Sequence, residues 1–68
     1  QGTVYVSFII NTNGTIDDIY ILRGVHPSLD NEALRVVANT NGQWKPGYQN
    51  GKPARVQFML PINFKLQY

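Results

Sequence analysis

The closing segment of the chain constrains its fold most, because apolar residues occupy every second position from Val56 to Leu66. This period of two is typical of a β-strand that buries one face. The stretch from position 54 to position 68 has about fifteen residues, which at about 3.3 Å each would extend roughly 50 Å, whereas a compact domain of this length is roughly 30 Å across. We therefore expect one very long strand that bends or breaks near Pro61, or that projects its end beyond the domain. A bend is the simpler expectation, because proline removes one donor from a strand ladder.

A β-hairpin is predicted at the other end of the chain. The apolar residues of one parity in its first strand are Val4, Val6, Phe8 and Ile10. Asn13-Gly14 supplies the residues of a tight turn, and a second strand follows from Thr15 to about Arg23. Ile16 has the wrong parity for the buried face of that strand. A bulge near Asp17-Asp18 would restore the register, or Ile16 lies outside the sheet.

A helix is predicted from about Ser28 to Asn39. Ser28 is the expected cap, and Asp30 and Glu32 place negative charge in the first turn, where the helix dipole favours it. The residues at helical spacing that we expect to face the sheet are Leu29, Ala33, Val36 and Val37. Asn41-Gly42 then stops the helix. A polar loop is expected from Thr40 to Pro53.

These elements predict an α+β fold, β-β-α-β, with one helix on one face of a three-stranded antiparallel sheet. A short turn makes the first two strands antiparallel neighbours, and the helix carries the chain back by a right-handed crossover. The third strand then lies beside the first, in the sheet order 2-1-3. The last strand is therefore an edge strand.

The composition gives no sign of catalysis or cofactor binding. The chain has no cysteine, which excludes disulfides and thiolate metal sites. His26 is the only histidine, and the adjacent carboxylates Asp17 and Asp18 point to opposite faces of a strand. We expect no catalytic, cofactor or metal residues and no enzyme. The net charge is only +2, and the outward face of the sheet offers one aromatic residue, Tyr5, so nucleic-acid binding is not expected.

The exposed edge of the last strand is the remaining candidate site. An edge strand offers unpaired backbone groups to a visiting strand. About five added hydrogen bonds at roughly 1 kcal/mol each compete with an association cost of about 4–15 kcal/mol. Backbone pairing alone is therefore weak, and contacts near Met59, Gln57 or Trp44 are needed. A weak, reversible peptide adapter is the function that this edge favours.

Four segments of the chain, in order, resemble the C-terminal domain of the TonB family. They are Gly2-Thr3-Val4-Tyr5-Val6-Ser7-Phe8 with Asn13-Gly14-Thr15-Ile16, Leu29-Asp30-Asn31-Glu32-Ala33-Leu34-Arg35-Val36-Val37, Trp44-Lys45-Pro46-Gly47, and Gly51-Lys52-Pro53 leading into Val56 to Phe64. The last segment is most similar to versions from Bacteroidetes energy transducers. The resemblance covers nearly the whole chain.

The resemblance implies a periplasmic domain that captures the TonB box, a short peptide of an outer-membrane transporter, as a strand added to the last strand. The proton-driven ExbB–ExbD complex is the implied second partner, through a part of the protein outside this chain. The implied peptide-binding residues are Arg55, Val56, Gln57, Phe58, Met59, Leu60 and Asn63. The implied outcome is that proton motive force drives nutrient import.

Residues 1–68 are expected to be a single domain, a fragment of a longer protein anchored in the inner membrane. The family usually has a further helix before the first strand, and similar domains end other envelope proteins, including membrane sensor peptidases. A structural or sensor module is therefore the alternative function. We also expect the fragment to form a concentration-dependent homodimer through its long edge strand.

Overall fold

The computed structural model describes residues 2–65, which form an α+β domain. Its elements are β1 (Gly2–Ile10), β2 (Ile16–Arg23), α1 (Pro27–Ala38), β3 (Gly47–Gln49), β4 (Lys52–Ala54) and β5 (Val56–Phe64). The main sheet is antiparallel, in the order β2-β1-β5, and α1 packs against β1 and β2. The predicted fold class, sheet order and edge position of the last strand are confirmed.

Alternation along β1 places a full row of apolar side chains in the core. Val4, Val6, Phe8 and Ile10 are all buried. Ala33 and Val37 of α1 are fully buried against them. Val36 was expected on this face but is 38% exposed, because it lies about 100° around the helix from Val37. Leu34 packs against the core from the other flank of the helix.

The long strand β5 pairs with β1 without interruption. Nine consecutive pairs run from Gly2–Phe64 to Ile10–Val56, with no register shift. The pairing continues through Pro61, so the expected break is absent. The described residues extend over 47 × 18 × 18 Å. The described part of the domain is therefore elongated rather than compact, and its longest dimension exceeds the roughly 30 Å that nine strand residues span. Leu66, the end of the predicted strand, lies outside the described residues.

The second strand contains the bulge that the sequence predicts. Ser7 pairs with Tyr20 and Ile9 with Asp17, so β2 has one more residue than β1 over this interval. Asp18 lies in this interval with φ of 52°. The extra residue returns Ile16 to the core face, where it is 7% exposed. A second register shift lies nearer the end of β2.

The helix begins at Pro27, one residue earlier than the sequence indicates. His26, not Ser28, is the N-cap: the backbone N–H of Ser28 donates to His26 Nδ1 at 3.2 Å. Pro27 is the first helical residue, a position where the missing N–H costs no hydrogen bond. Asp30 lies in the first turn, and its Oδ1 accepts from the backbone N–H of Val25 at 3.0 Å.

Glu32 has a different role from the one expected. Its carboxylate accepts hydrogen bonds from Arg35, one turn later on the exposed side of α1. The hydrogen bond from Arg35 lowers the pKa of Glu32 below its usual value. Only Asp30 supplies negative charge to the first turn.

The segment expected to be an irregular loop contains a second, smaller hairpin. β3 and β4 form a two-stranded antiparallel sheet. Asn50 and Gly51 connect them with φ of 53° and 78°, the positive values that a two-residue hairpin turn requires. Asn50-Gly51 carries the same turn signal as Asn13-Gly14, so this hairpin was visible in the sequence and was missed.

Candidate functional site

The candidate site is the side of β5 that faces away from β1, which we call the free edge. Within residues 2–65, β1 is the strand that pairs with β5, and nothing described covers its other side. In an antiparallel pair, the N–H and C=O of alternate residues point toward the neighbour, and those of the intervening residues point away. The parity of β5 therefore decides which groups the free edge offers.

Two observations fix that parity. The backbone N–H of Asn11 donates to Thr15 O at 2.8 Å, so the odd-numbered residues of β1 bond toward β2 and the even-numbered residues bond toward β5. Pro61 lies opposite Tyr5 and has no N–H, which suits a pair that exchanges no hydrogen bonds. Both observations indicate that the backbone N–H and C=O groups of odd-numbered β5 residues point toward the free edge.

The free edge therefore carries a definite set of backbone groups. Its outward residues are Gln57, Met59, Pro61 and Asn63. Each contributes a carbonyl, and each except Pro61 contributes an N–H. A fully paired visiting strand therefore makes up to about seven backbone hydrogen bonds by this alternation. The sequence-based figure of about five hydrogen bonds lies within this upper limit.

An apolar shelf lies beside the free edge on the face that carries the helix. Phe58 and Leu60 point to this face, opposite Phe8 and Val6. α1 covers β1 and β2, and Phe58 remains 40% exposed. A strand added to β5 would bring every second side chain against this shelf. Apolar residues at alternate positions of a partner would therefore be buried here.

Trp44 supports this shelf from the loop that follows α1. Its ring lies 5.2 Å from that of Phe8 and 5.6 Å from that of Phe58, centroid to centroid. Its Nε1–H donates to Thr40 Oγ1 at 2.7 Å, and that hydroxyl donates to Val37 O. The indole is therefore fixed in position by α1, and it presents a rigid aromatic wall next to Phe58.

The opposite, open face of β5 is more polar. Gln57 Nε2 donates to Ser7 Oγ at 3.1 Å and to Tyr20 OH at 3.3 Å. Ser7 is 2% exposed, so Gln57 satisfies a buried hydroxyl as well as lining the edge. Met59 is 44% exposed beside it. A visiting strand would therefore meet one large apolar side chain among amides on this face.

Arg55 and Asn63 bind other parts of the domain. Arg55 Nε donates to Asn11 Oδ1 at 2.7 Å, and a second guanidinium nitrogen lies 3.6 Å from Asp17. Asn63 Oδ1 accepts from Thr3 Oγ1 at 2.6 Å. The side chain of Arg55 thus holds the start of β5 against the first hairpin. The side chain of Asn63 is used within the domain, so only its backbone groups are available at the free edge.

The other edge of the sheet is poorly suited to strand addition. β2 carries two register shifts, and Asp18 has a left-handed backbone. Bulges twist an edge and interrupt the regular spacing of its backbone groups. Of the two edges of the described sheet, β5 is the regular one.

The proposed binding residues thus divide into three groups. Gln57, Met59 and Asn63 present backbone groups outward, Phe58 and Leu60 form the apolar shelf, and Val56 and Arg55 anchor the strand start. Sequence reasoning missed Tyr20, because its place beside Gln57 depends on the bulge in β2. It also missed Tyr48, which is 70% exposed on the second hairpin.

No enclosed pocket and no cluster of three potential metal ligands occurs within residues 2–65. Nor is any helix in that range long and apolar enough to cross a membrane.

Residues 1–66 match the family model described as the Gram-negative bacterial TonB protein C-terminal. The chain belongs to this family. No curated protein and no solved structure matches it.

Membership of the TonB C-terminal family gives the domain a general role. Domains of this family are periplasmic protein-interaction domains of Gram-negative bacteria, without catalytic activity of their own. The outer-membrane receptors are the class of partner that membership indicates. Within residues 2–65, the regular free edge of β5 is therefore the candidate site for such an interaction.

Proposed function

We propose that this domain captures the TonB box of an outer-membrane transporter as a strand added to the free edge of β5. In the whole protein, an inner-membrane anchor and the ExbB–ExbD complex would couple proton motive force to nutrient import through this contact. The observation that carries the proposal is the uninterrupted nine-residue pairing of β5 with β1, which leaves a regular set of outward groups.

The energetics favour a reversible contact. Seven hydrogen bonds at about 1 kcal/mol each give about 7 kcal/mol, against an association cost of about 4–15 kcal/mol. The apolar shelf must supply the difference. Burying about 150 Å² of partner side chains there adds about 4 kcal/mol at 25 cal/mol per Å². The sum supports weak binding that releases readily.

Charge around the edge favours a partner with acidic residues. All four carboxylates of the chain lie between Asp17 and Glu32, whereas the segment from Lys45 to Lys65 contains four basic residues and no acidic ones. β5 itself is uncharged. A peptide carboxylate near either end of β5 would meet the positive charge of Arg55 or Lys65, which flank the strand, and the nearest opposing charge is Asp17 beside Arg55.

Hydrogen exchange monitored by NMR tests the proposal residue by residue. We expect a TonB-box peptide to protect the amides of Gln57, Met59 and Asn63, which face away from β1 and have no strand neighbour within residues 2–65. The amides of Phe58, Leu60 and Ile62 already bond to β1 and should gain little. This alternation is specific to strand addition. Protection that is uniform along β5, or that is greatest on α1, would contradict the proposal.

A control substitution separates the edge from the general stability of the domain. Phe58→Ala removes the exposed shelf side chain and should weaken peptide binding about tenfold, equivalent to about 1.4 kcal/mol. Leu22→Ala removes a side chain that is 57% exposed on β2, and should leave the affinity unchanged. Equal losses for the two variants would mean that the peptide does not bind at β5.

A further inference from the structure

Pro61 is the single outward residue of the free edge that cannot donate a hydrogen bond. Its pairing with β1 is unaffected, because the Tyr5–Pro61 pair exchanges no hydrogen bonds. Proline on the exposed side of an edge strand limits unwanted pairing. The missing N–H therefore acts only on a strand that arrives from outside.

The missing donor has unequal effects on two kinds of visitor. A foreign strand with a full set of backbone groups loses one hydrogen bond, the one that Pro61 would have donated. A second copy of this chain brings its own Pro61. In any two-fold symmetric pairing of two β5 strands that includes this residue, both copies lack a donor, and two hydrogen bonds are lost.

Pairing between copies would use β5 on both sides. The other edge strand, β2, is irregular at two places, so a β5–β2 contact is unfavourable. The relevant competition at the free edge is therefore between a foreign strand and a symmetric pair of β5 strands.

We propose that Pro61 is a specificity-determining residue, which favours a foreign strand over a second copy of the domain at the free edge. The foreign-strand part rests on the function proposed above. One hydrogen bond corresponds to about a fivefold change in an equilibrium constant. Restoring the donor should thus raise peptide affinity about fivefold and the dimerisation constant about twenty-five-fold, the square of the first factor.

The test compares Pro61→Thr and Pro61→Val with the unmodified chain. Both substitutions restore the backbone N–H, and valine also adds an apolar side chain on the open face. A gain that both variants share is therefore caused by the restored N–H and not by the new side chain. Pro53→Thr is the matched control. Pro53 is also an exposed proline in an edge strand, paired with Tyr48 in the small hairpin, and it is not on the free edge.

The dimerisation constant is measured by sedimentation equilibrium up to millimolar concentration, and the affinity for a TonB-box peptide by calorimetry. We expect both Pro61 variants to dimerise about twenty-five-fold more strongly, with a gain in peptide affinity of only about fivefold, and Pro53→Thr to change neither. A dimerisation gain no larger than the gain in peptide affinity would overturn the inference. So would a gain seen with valine alone.

The two proposals fail in different ways. A peptide that bound none of these proteins would refute the proposed function, and the dimerisation constants would still decide whether Pro61 opposes self-pairing. A peptide that bound at β5 with unchanged dimerisation in both Pro61 variants would refute the inference and leave the proposed function intact.

Discussion

Substitution of Gly14 by alanine tests how the first hairpin fixes the aromatic wall of the site. Gly14 is buried, has φ of 88°, and its carbonyl accepts from the N–H groups of Gly42 and Trp44 at 3.1 and 3.3 Å. A Cβ at this position would lie 2.6 Å from Trp44 O. The contact is with backbone, so the loop carrying Trp44 must move.

Gly42 provides a matched control for the size of the effect. It has nearly the same φ, 89°, and a Cβ there would meet nothing within 4 Å. Left-handed strain costs about 1–2 kcal/mol, and the lower entropy of the unfolded chain recovers about 0.4–1 kcal/mol. Gly42→Ala should therefore cost about 1 kcal/mol. Gly14→Ala adds about 1–3 kcal/mol of overpacking, for a total of about 2–4 kcal/mol.

Urea unfolding followed by Trp44 fluorescence measures both free energies of unfolding. A domain of this size has a free energy of unfolding of about 3–10 kcal/mol, so Gly14→Ala removes a large fraction of it. Thermal midpoints should fall about 5 °C for Gly42→Ala and about 15 °C for Gly14→Ala. Equal costs for the two variants would refute the argument, because only the contact with Trp44 O distinguishes them.

Three further changes test other parts of the structure. His26→Ala should cost about 1 kcal/mol of unfolding free energy in urea by removing the N-cap acceptor, whereas Ser28→Ala should cost clearly less; equal losses would contradict the assignment of the cap. Trp44→Phe should cost about 1 kcal/mol in the same assay, because it keeps the aromatic packing and loses the hydrogen bond to Thr40; a loss as large as that for Trp44→Ala would show that ring size dominates. In an NMR titration, the carboxyl group of Glu32 should titrate below its usual pKa, and Arg35→Gln should raise the midpoint. Since the folded pKa is the lower one, the stability that this pair contributes is present above the unfolded pKa of Glu32 and is lost as the pH falls through the folded pKa; an unchanged midpoint would exclude Arg35 as the cause.

Local pattern was sufficient for the main sheet and for the candidate edge. The alternation along β1 and β5 fixed which residues face the core, and the short turn at Asn13-Gly14 made the first two strands neighbours. Those two facts placed β5 at the edge. The bulge near Asp18 was also predictable, because Ile16 and the later isoleucines of β2 conflict in parity.

The remaining features depend on contacts that the sequence does not encode locally. The packing of Trp44 between Phe8 and Phe58 requires the loop after α1 to meet the turn at Gly14, which lies thirty positions earlier in the chain. Likewise, His26 serves as the cap through a ring nitrogen, a role that residue preferences assign to Ser28. The expected diameter of the domain was wrong because it assumed a compact shape, and a sheet with one long pair of strands need not be compact.

The irregularity of β2 has a consequence for what the domain does when it is concentrated. A sheet that is regular at both edges can add copies at each side indefinitely and grow into a fibre. If two copies of this domain paired through β5, the exposed edges of the combined main sheet would be the two β2 strands, each with its register shifts. Within the described residues, a third copy would find no regular edge of the main sheet, so the geometry disfavours growth of such a pair into a fibre.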